Sequence, residues 1–113
     1  MAPHILMSLD ELPDGAVRIV GIAYRTPPYR SVIVTRIGDS IGAYWNVCRH
    51  LPVPLDGGMG AISQDGKGRW VCETHGARYR PEDGLCVEGP CRGERLTKIA
   101  VRVEDGMIVM DLD

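Results

Sequence analysis

Hydrophobic residues fall along this chain in short runs broken by glycine, proline and aspartate. Residues 17–24 are rich in β-branched and small apolar side chains and predict a first strand, followed by a loop over 25–30 that carries Pro27-Pro28. Ser-Val-Ile-Val-Thr-Arg-Ile at 31–37 predicts a second strand, Gly38-Asp39 a tight turn, and 41–47 a third strand that completes a hairpin. Residues 51–60 hold two prolines and three glycines and are too irregular for a ladder. Short strands at 61–63 and 69–72 can pair across 64–68. The chain then turns through Pro81-Glu82-Asp83-Gly84, forms a short strand at 85–88 and loops through 89–93. The end carries the clearest hairpin. Residues 98–103 alternate, with Ile99, Val101 and Val103 facing inward, Asp105-Gly106 makes the turn, and 107–112 returns.

The first 16 residues read differently, as a tail with one short helical turn. Ser8-Leu9-Asp10-Glu11 has the form of a capping box and Pro13-Asp14-Gly15 ends it quickly; His4 is expected in a disordered tail, without a role. The pattern predicts one all-β domain over residues 1–113, a small antiparallel sandwich or barrel.

Composition supports a single small core. The 113 residues are 44% hydrophobic, without phenylalanine, and 14 glycines and 8 prolines make turns frequent and long helices few. Net charge is −2, with basic residues spread and interrupted by acidic ones, so nucleic acid is not an expected partner. The N-terminus shows neither a signal peptide nor an anchor, and no membrane association is expected. Four cysteines are too few for a disulfide scaffold, and two of them sit near histidines at metal-ligand spacing; the cytoplasm is the expected compartment.

Those two belong to the chemistry-bearing motifs, Cys48-Arg49-His50 and Cys72-Glu73-Thr74-His75. Each brings one thiolate and one imidazole to a strand end, where loops held by a sheet can converge. Two sulfur and two nitrogen ligands suit an asymmetric centre of two irons and two sulfides. A structural Zn²⁺ site with the same donors is the competing reading, although zinc fingers tend to place both cysteines together and both histidines together.

With the surrounding residues, the motifs resemble the Rieske iron–sulfur family. After Cys48-Arg49-His50 come Leu55 and Gly58 at the family's offsets, then Cys72-Glu73-Thr74-His75-Gly76, then Gly89-Pro90 at the place of the family's proline loop. Pro52 stands where the family usually has glycine, and the gap between the motifs is a few residues longer than is common. The resemblance implies a Rieske-type sandwich with cluster-binding loops at one end and a [2Fe-2S] cofactor. It puts Cys48 and Cys72 on one iron and His50 and His75 on the other, the histidine edges facing solvent. Backbone N–H groups of Gly76 and its neighbours are expected to donate to the sulfides.

High-potential relatives carry a serine at the place of Ala77 and a disulfide between cysteines at the places of Pro52 and Thr74. Tyr79 matches the family's tyrosine, which can bond a ligand cysteine sulfur. The resemblance therefore implies a potential in the lower part of the ~ −150 to +300 mV Rieske range.

Other candidates have blander readings beside the sharper ones. Cys86 and Cys91 read as partly buried thiols without a role, the sharper idea being that Cys91 lies beside the cluster and pairs with or near Cys86. Arg49, Arg78 and Arg80 are either a solvated rim or a docking patch for an acidic partner. Trp45 and Trp70 are core packing rather than electron relays.

Beyond His50 and His75 only His4 remains, too few histidines for a mononuclear iron site within the chain. The reading is an electron carrier rather than an enzyme: a monomeric Rieske-type ferredoxin that takes electrons from a flavin-dependent reductase to a terminal oxygenase. The alternative is a small Rieske-like subunit of a larger reductase, such as assimilatory nitrite reductase.

Overall fold

A computed structural model of the protein describes residues 2–22, 29–49 and 51–112. Its centre is β3 (Ser31–Ile37), which coincides with the predicted second strand and pairs antiparallel with β2 (Val17–Gly21) and β4 (Ser40–Trp45). A strand paired on both edges and covered on both faces needs an unbroken apolar run, and β3 supplies one: Val32, Ile33 and Val34 are all fully buried. Alternation sends them to different cores. Ile33 and Tyr44 face one cluster of side chains, while Val32, Val34, Ala43 and Trp45 face the other.

The second of these cores is closed by a sheet of three strands, ordered β1 (Ala2–Ser8), β10 (Met107–Leu112) and β9 (Val101–Glu104). Asp105 and Gly106, with φ of 50° and 75°, make the predicted turn between β9 and β10 with both central residues left-handed. Residues 97–99 run beside β4, where Trp45 N–H donates to the Thr97 carbonyl at 3.0 Å and Ile99 N–H to that of Ala43 at 2.8 Å. Leu6, Ile108 and Met110 fill the space between the sheets. Full burial of such a side chain stabilises by about 1.5–3 kcal/mol.

The N-terminal segment departs from its expectation as a tail. It is β1, in register with β10 from Ala2 opposite Leu112 to Ser8 opposite Met107, with one irregularity between Ile5 and Met7. The physical reason is remote: without β1, one edge of β10 is unpaired, and Leu6 is carried into the core on this strand. His4 is thus a strand residue opposite Met110. The predicted helical turn follows as a 3-10 helix (Leu9–Glu11), with Ser8 Oγ accepting from Asp10 N–H at 3.3 Å. Val103 also departs, being 45% exposed. β9 is an edge strand whose inward row ends at Val101, so Val103 lies beyond the core.

The rest of the chain forms a sheet of very short strands, ordered β5 (Ser63–Gln64), β6 (Trp70–Val71), β7 (Arg78–Tyr79) and β8 (Cys86–Glu88). The hairpin predicted across 64–68 is β5 with β6. β7 has no counterpart among the predicted strands. The last two residues of the predicted first strand, 23–24, most of the loop over 25–30, and His50 lie outside the described residues. Among the described residues no helix is long and apolar enough to cross a membrane.

Candidate metal centre

Both cysteines of the motifs are delivered by strand ends. β4 runs into the first loop, where Cys48 N–H donates to the Val53 carbonyl at 2.8 Å and Val53 N–H to that of Leu51 at 2.7 Å. This turn buries Cys48 to 3% exposure. β6 runs into the second, where Cys72 N–H donates to the Ala77 carbonyl and Gly76 N–H to that of Cys72, both at 2.8 Å. Gly76 adopts a φ of 74°, which explains why glycine stands there. Cys72 is fully buried, whereas His75 at the tip of the same turn is exposed.

Two polar residues that the sequence pattern does not announce pin these loops. Asn46, 1% exposed, donates through Nδ2 to Ser31 Oγ and Asp56 Oδ1, each at 3.1 Å, and its Oδ1 accepts from Leu55 N–H at 2.8 Å. Asp56, 3% exposed, accepts from Gly60 N–H at 2.7 Å. Glu73 N–H then donates to the Leu55 carbonyl at 2.9 Å and joins the first loop to the second. The only sequence signal is that Asp56 precedes Gly57-Gly58, which marks a turn and says nothing of burial.

Cys48 and Cys72 are buried in the same core cluster, and the Cys48 side chain is the foremost influence on the Cys72 thiol. That neighbour first, and burial second, hold the Cys72 thiol above its ordinary value, while the backbone N–H groups of Thr74 and His75 act against them by donating to its sulfur. The expectation for Gly76 is corrected here, because its N–H is committed to the Cys72 carbonyl. Its neighbours Thr74 and His75 supply the donors, toward a cysteine sulfur.

Two buried sulfurs side by side cannot both ionise without a compensating positive charge, and backbone donors already face one of them. This donor set fits an iron centre bound by sulfur on its inner side, with imidazole from His75 on the outer side. Among the described residues no three His, Cys, Asp or Glu side chains converge on a single ion. A two-iron centre asks only for a pair of protein ligands at each iron.

Behind Cys48 stands Tyr79, fully buried on β7. Its hydroxyl accepts from Arg49 N–H at 2.8 Å and lies 3.4 Å from Cys48 Sγ, as the resemblance led us to expect. It also lies 3.0 Å from Cys91 Sγ. Burial and the two sulfurs push the phenol up from its ordinary value. Cys91 belongs to the proline loop. Gly89 there has a φ of 104°, and a Cβ on it would stand 2.8 Å from Ala77 Cα, so the loop rests directly on the second cysteine loop.

Cys86 and Cys91 are free, 1% and 2% exposed, with sulfurs 3.0 Å apart. They are therefore fully rather than partly buried, and Cys91 does lie next to Cys86, as the sharper idea had it. Burial and the Cys91 sulfur push the Cys86 thiol up to about 12. Trp45 and Trp70 are buried in the two cores, as expected.

The arginines beside the motifs do not form a free basic patch. Arg49 pairs with Glu94 at 3.4 Å, Arg78 with Asp65 at 2.9 Å and Glu88 at 3.4 Å, and Arg80 with Asp83.

Comparison with known proteins agrees with this fold. The ferredoxin of carbazole 1,9a-dioxygenase from Nocardioides aromaticivorans IC177 superposes with a TM-score of 0.68 at 23% identity, over 97% of both chains. The reduced complex between oxygenase and ferredoxin in carbazole 1,9a-dioxygenase matches with a TM-score of 0.73 at 20% identity, over 98% of this chain and 29% of the other. The terminal oxygenase of carbazole 1,9a-dioxygenase from Novosphingobium sp. KA1 gives 0.73 at 20% identity, over 98% and 30%. The chain thus spans less than a third of the length of those two, and at such identity all three likenesses speak for the fold. A search of curated proteins finds no match. The Rieske [2Fe-2S] domain matches residues 3–104, nearly the whole chain, and the protein therefore belongs to that family of [2Fe-2S]-binding domains.

Proposed function

We propose that the protein is a one-electron carrier, a low-potential Rieske-type ferredoxin of the cytoplasm. It takes electrons from a flavin-dependent reductase and delivers them to a terminal oxygenase. Cys48 and Cys72 hold the inner iron, and His50 and His75 the outer one. The observation that carries this reading is the pairing of two buried, adjacent cysteine sulfurs with an exposed histidine on the same turn. When bound, the cluster supplies a site that gains and loses one electron.

The chain's own residues do the rest. The loops around Cys48 and Cys72 exclude water from the sulfur side, Thr74 and His75 N–H groups stabilise negative charge on sulfur, and the exposed His75 edge offers the short path to a partner. Ala77, fully buried, brings no hydroxyl to the centre, in keeping with a low potential. The likeness to the ferredoxin of N. aromaticivorans, over 97% of both chains, supports a separate carrier, and we read it as a monomer.

The test is anaerobic reconstitution with iron and sulfide, followed by visible and electron paramagnetic resonance spectra of the reduced protein and a potentiometric titration. The expected result is a reddish-brown protein with the low average g value of histidine-ligated iron, reduced by a flavin reductase and reoxidised by a Rieske oxygenase. A colourless protein that binds Zn²⁺ alone would overturn the reading. Co-purification with a large reductase chain would replace the free carrier by a subunit.

A further inference from the structure

The hydroxyl of Tyr79 has more partners than it has protons. Its oxygen is fixed by Arg49 N–H, which donates to it at 2.8 Å. A phenol has one proton to give, and two sulfurs stand within its reach, Cys91 Sγ at 3.0 Å and Cys48 Sγ at 3.4 Å. The proton of Cys91 is directed elsewhere: Cys91 Sγ donates to Cys86 Sγ at 3.0 Å, and Cys86 Sγ donates to the Glu88 carbonyl at 3.2 Å. Cys91 therefore meets Tyr79 as an acceptor. Cys48, once on iron, carries no proton and is an acceptor too. Tyr79, Cys48, Cys86 and Cys91 are at most 3% exposed, so bulk water does not compete for the tyrosine's proton.

We propose that Cys91 is a positioning residue for the cluster: its sulfur competes with the Cys48 sulfur for the single proton of Tyr79 and thereby holds the reduction potential down. The proposal rests on Cys48 being an iron ligand. The competition is balanced, because the nearer acceptor is a neutral thiol and the farther one is charged, and charge roughly doubles the strength of a hydrogen bond. With a cluster bound, Cys48 would carry more negative charge in the reduced state, and the Tyr79 hydroxyl would then favour its bond to Cys48 over that to Cys91. Every bond Tyr79 makes to Cys91 is one withdrawn from the reduced centre. Hydrogen bonds to cluster sulfurs are among the features that set the potential of an iron–sulfur site.

The experiment is a potentiometric titration of the reconstituted wild type, Cys91→Ala, Cys91→Ser, Tyr79→Phe and the two double variants. Tyr79→Phe should lower the midpoint and Cys91→Ala should raise it, because the freed proton goes to Cys48. Cys91→Ser, nearly isosteric, should lower it, since a hydroxyl oxygen is a stronger acceptor than a thiol sulfur. It also serves if the alanine variant fails to fold. Both Cys91 effects should vanish when Tyr79 is Phe. An unmoved midpoint, the reverse order of alanine and serine, or equal shifts with and without the tyrosine hydroxyl overturns the proposal and leaves the cluster assignment standing. A Cys48→Ser protein that keeps the wild-type cluster spectrum overturns the ligand reading and this proposal with it.

Discussion

The molecule has two cores that are built on different principles and share the strand β3. One, lined by Leu6, Val32, Val34, Ala43, Ile108 and Met110 among others, is almost wholly aliphatic and lies under strands of up to seven residues. The other contains all four cysteines with Tyr44, Trp70 and Tyr79, under strands of two or three residues. Long ladders hold the first. The second is held by loop-to-loop backbone bonds, by the buried Asn46 and Asp56, and by partly buried charge. The difference teaches how a domain of this size separates its tasks. The aliphatic core secures the fold, while the cysteine core accepts short strands and buried polar groups so that loops can converge on a metal centre.

The sharpest test removes the centre itself. Cys72→Ser should abolish the visible absorption of the reconstituted cluster. Amide hydrogen exchange, with and without metal, should then lose protection over residues 46–96, while β3 and β10 keep theirs. Uniform loss of protection would mean that the two cores open as one unit, and the comparison would fail.

The same division decides what the sequence revealed. β3 was legible to the residue because a centrally paired strand writes itself as a continuous apolar run, and the turn at Asp105-Gly106 because its backbone admits few residues. Spacing also anticipated that the two motifs would bring Cys48 and Cys72 into one core at strand ends, with His75 on the turn after β6. What stayed hidden depends on approaches between distant segments. β1 needs β10 from the opposite end of the chain, and β7 is two residues long. Asn46 and Asp56 are polar residues whose burial follows only from the meeting of the loop with β3. No pattern along the chain announces that Tyr79 will stand between Cys48 and Cys91.

Truncation in the aliphatic core comes next in size. Ile108, fully buried, should cost about 2–5 kcal/mol of unfolding free energy as Ile108→Ala, measured by denaturant titration. The cluster spectrum and midpoint of the folded variant should match the wild type. A changed midpoint would show that packing in the first core is transmitted to the second.

Asn46→Ala acts on the cysteine core alone. It leaves Leu55 N–H without its acceptor and removes a donor from the buried Asp56 carboxylate, at a cost of about 1–3 kcal/mol. Here the spectrum should change along with the stability, through faster release of iron to a chelator. Loss of stability with an unaltered release rate would make the network a general support rather than a support of the loops.

The smallest effect tests the charges of the cysteine core. Asp83, in the turn between β7 and β8, accepts from Arg80 Nε at 2.8 Å and from Leu85 N–H at 3.1 Å. The Arg80 side chain chiefly, with the Leu85 N–H and the charges of Arg80 and Arg95, lowers its carboxyl to about 2 against the opposing effect of burial. A carboxyl lowered by folding contributes stability that is complete above its unfolded value near ~4 and disappears as pH falls through the folded value. The wild type should therefore lose stability between about pH 4 and pH 2 relative to Asp83→Asn, whose side chain can keep the Leu85 bond without titrating. Because Asp83 is 32% and Arg80 43% exposed, screening holds the difference to about 0.5–1 kcal/mol, and added salt should shrink it further. Arg102, paired with Glu104 and Asp111 on the aliphatic side, is the control: its partners are 53% and 39% exposed, and Arg102→Gln should leave the acid transition in place. An equal response to both substitutions would remove charge from the features that distinguish the two cores.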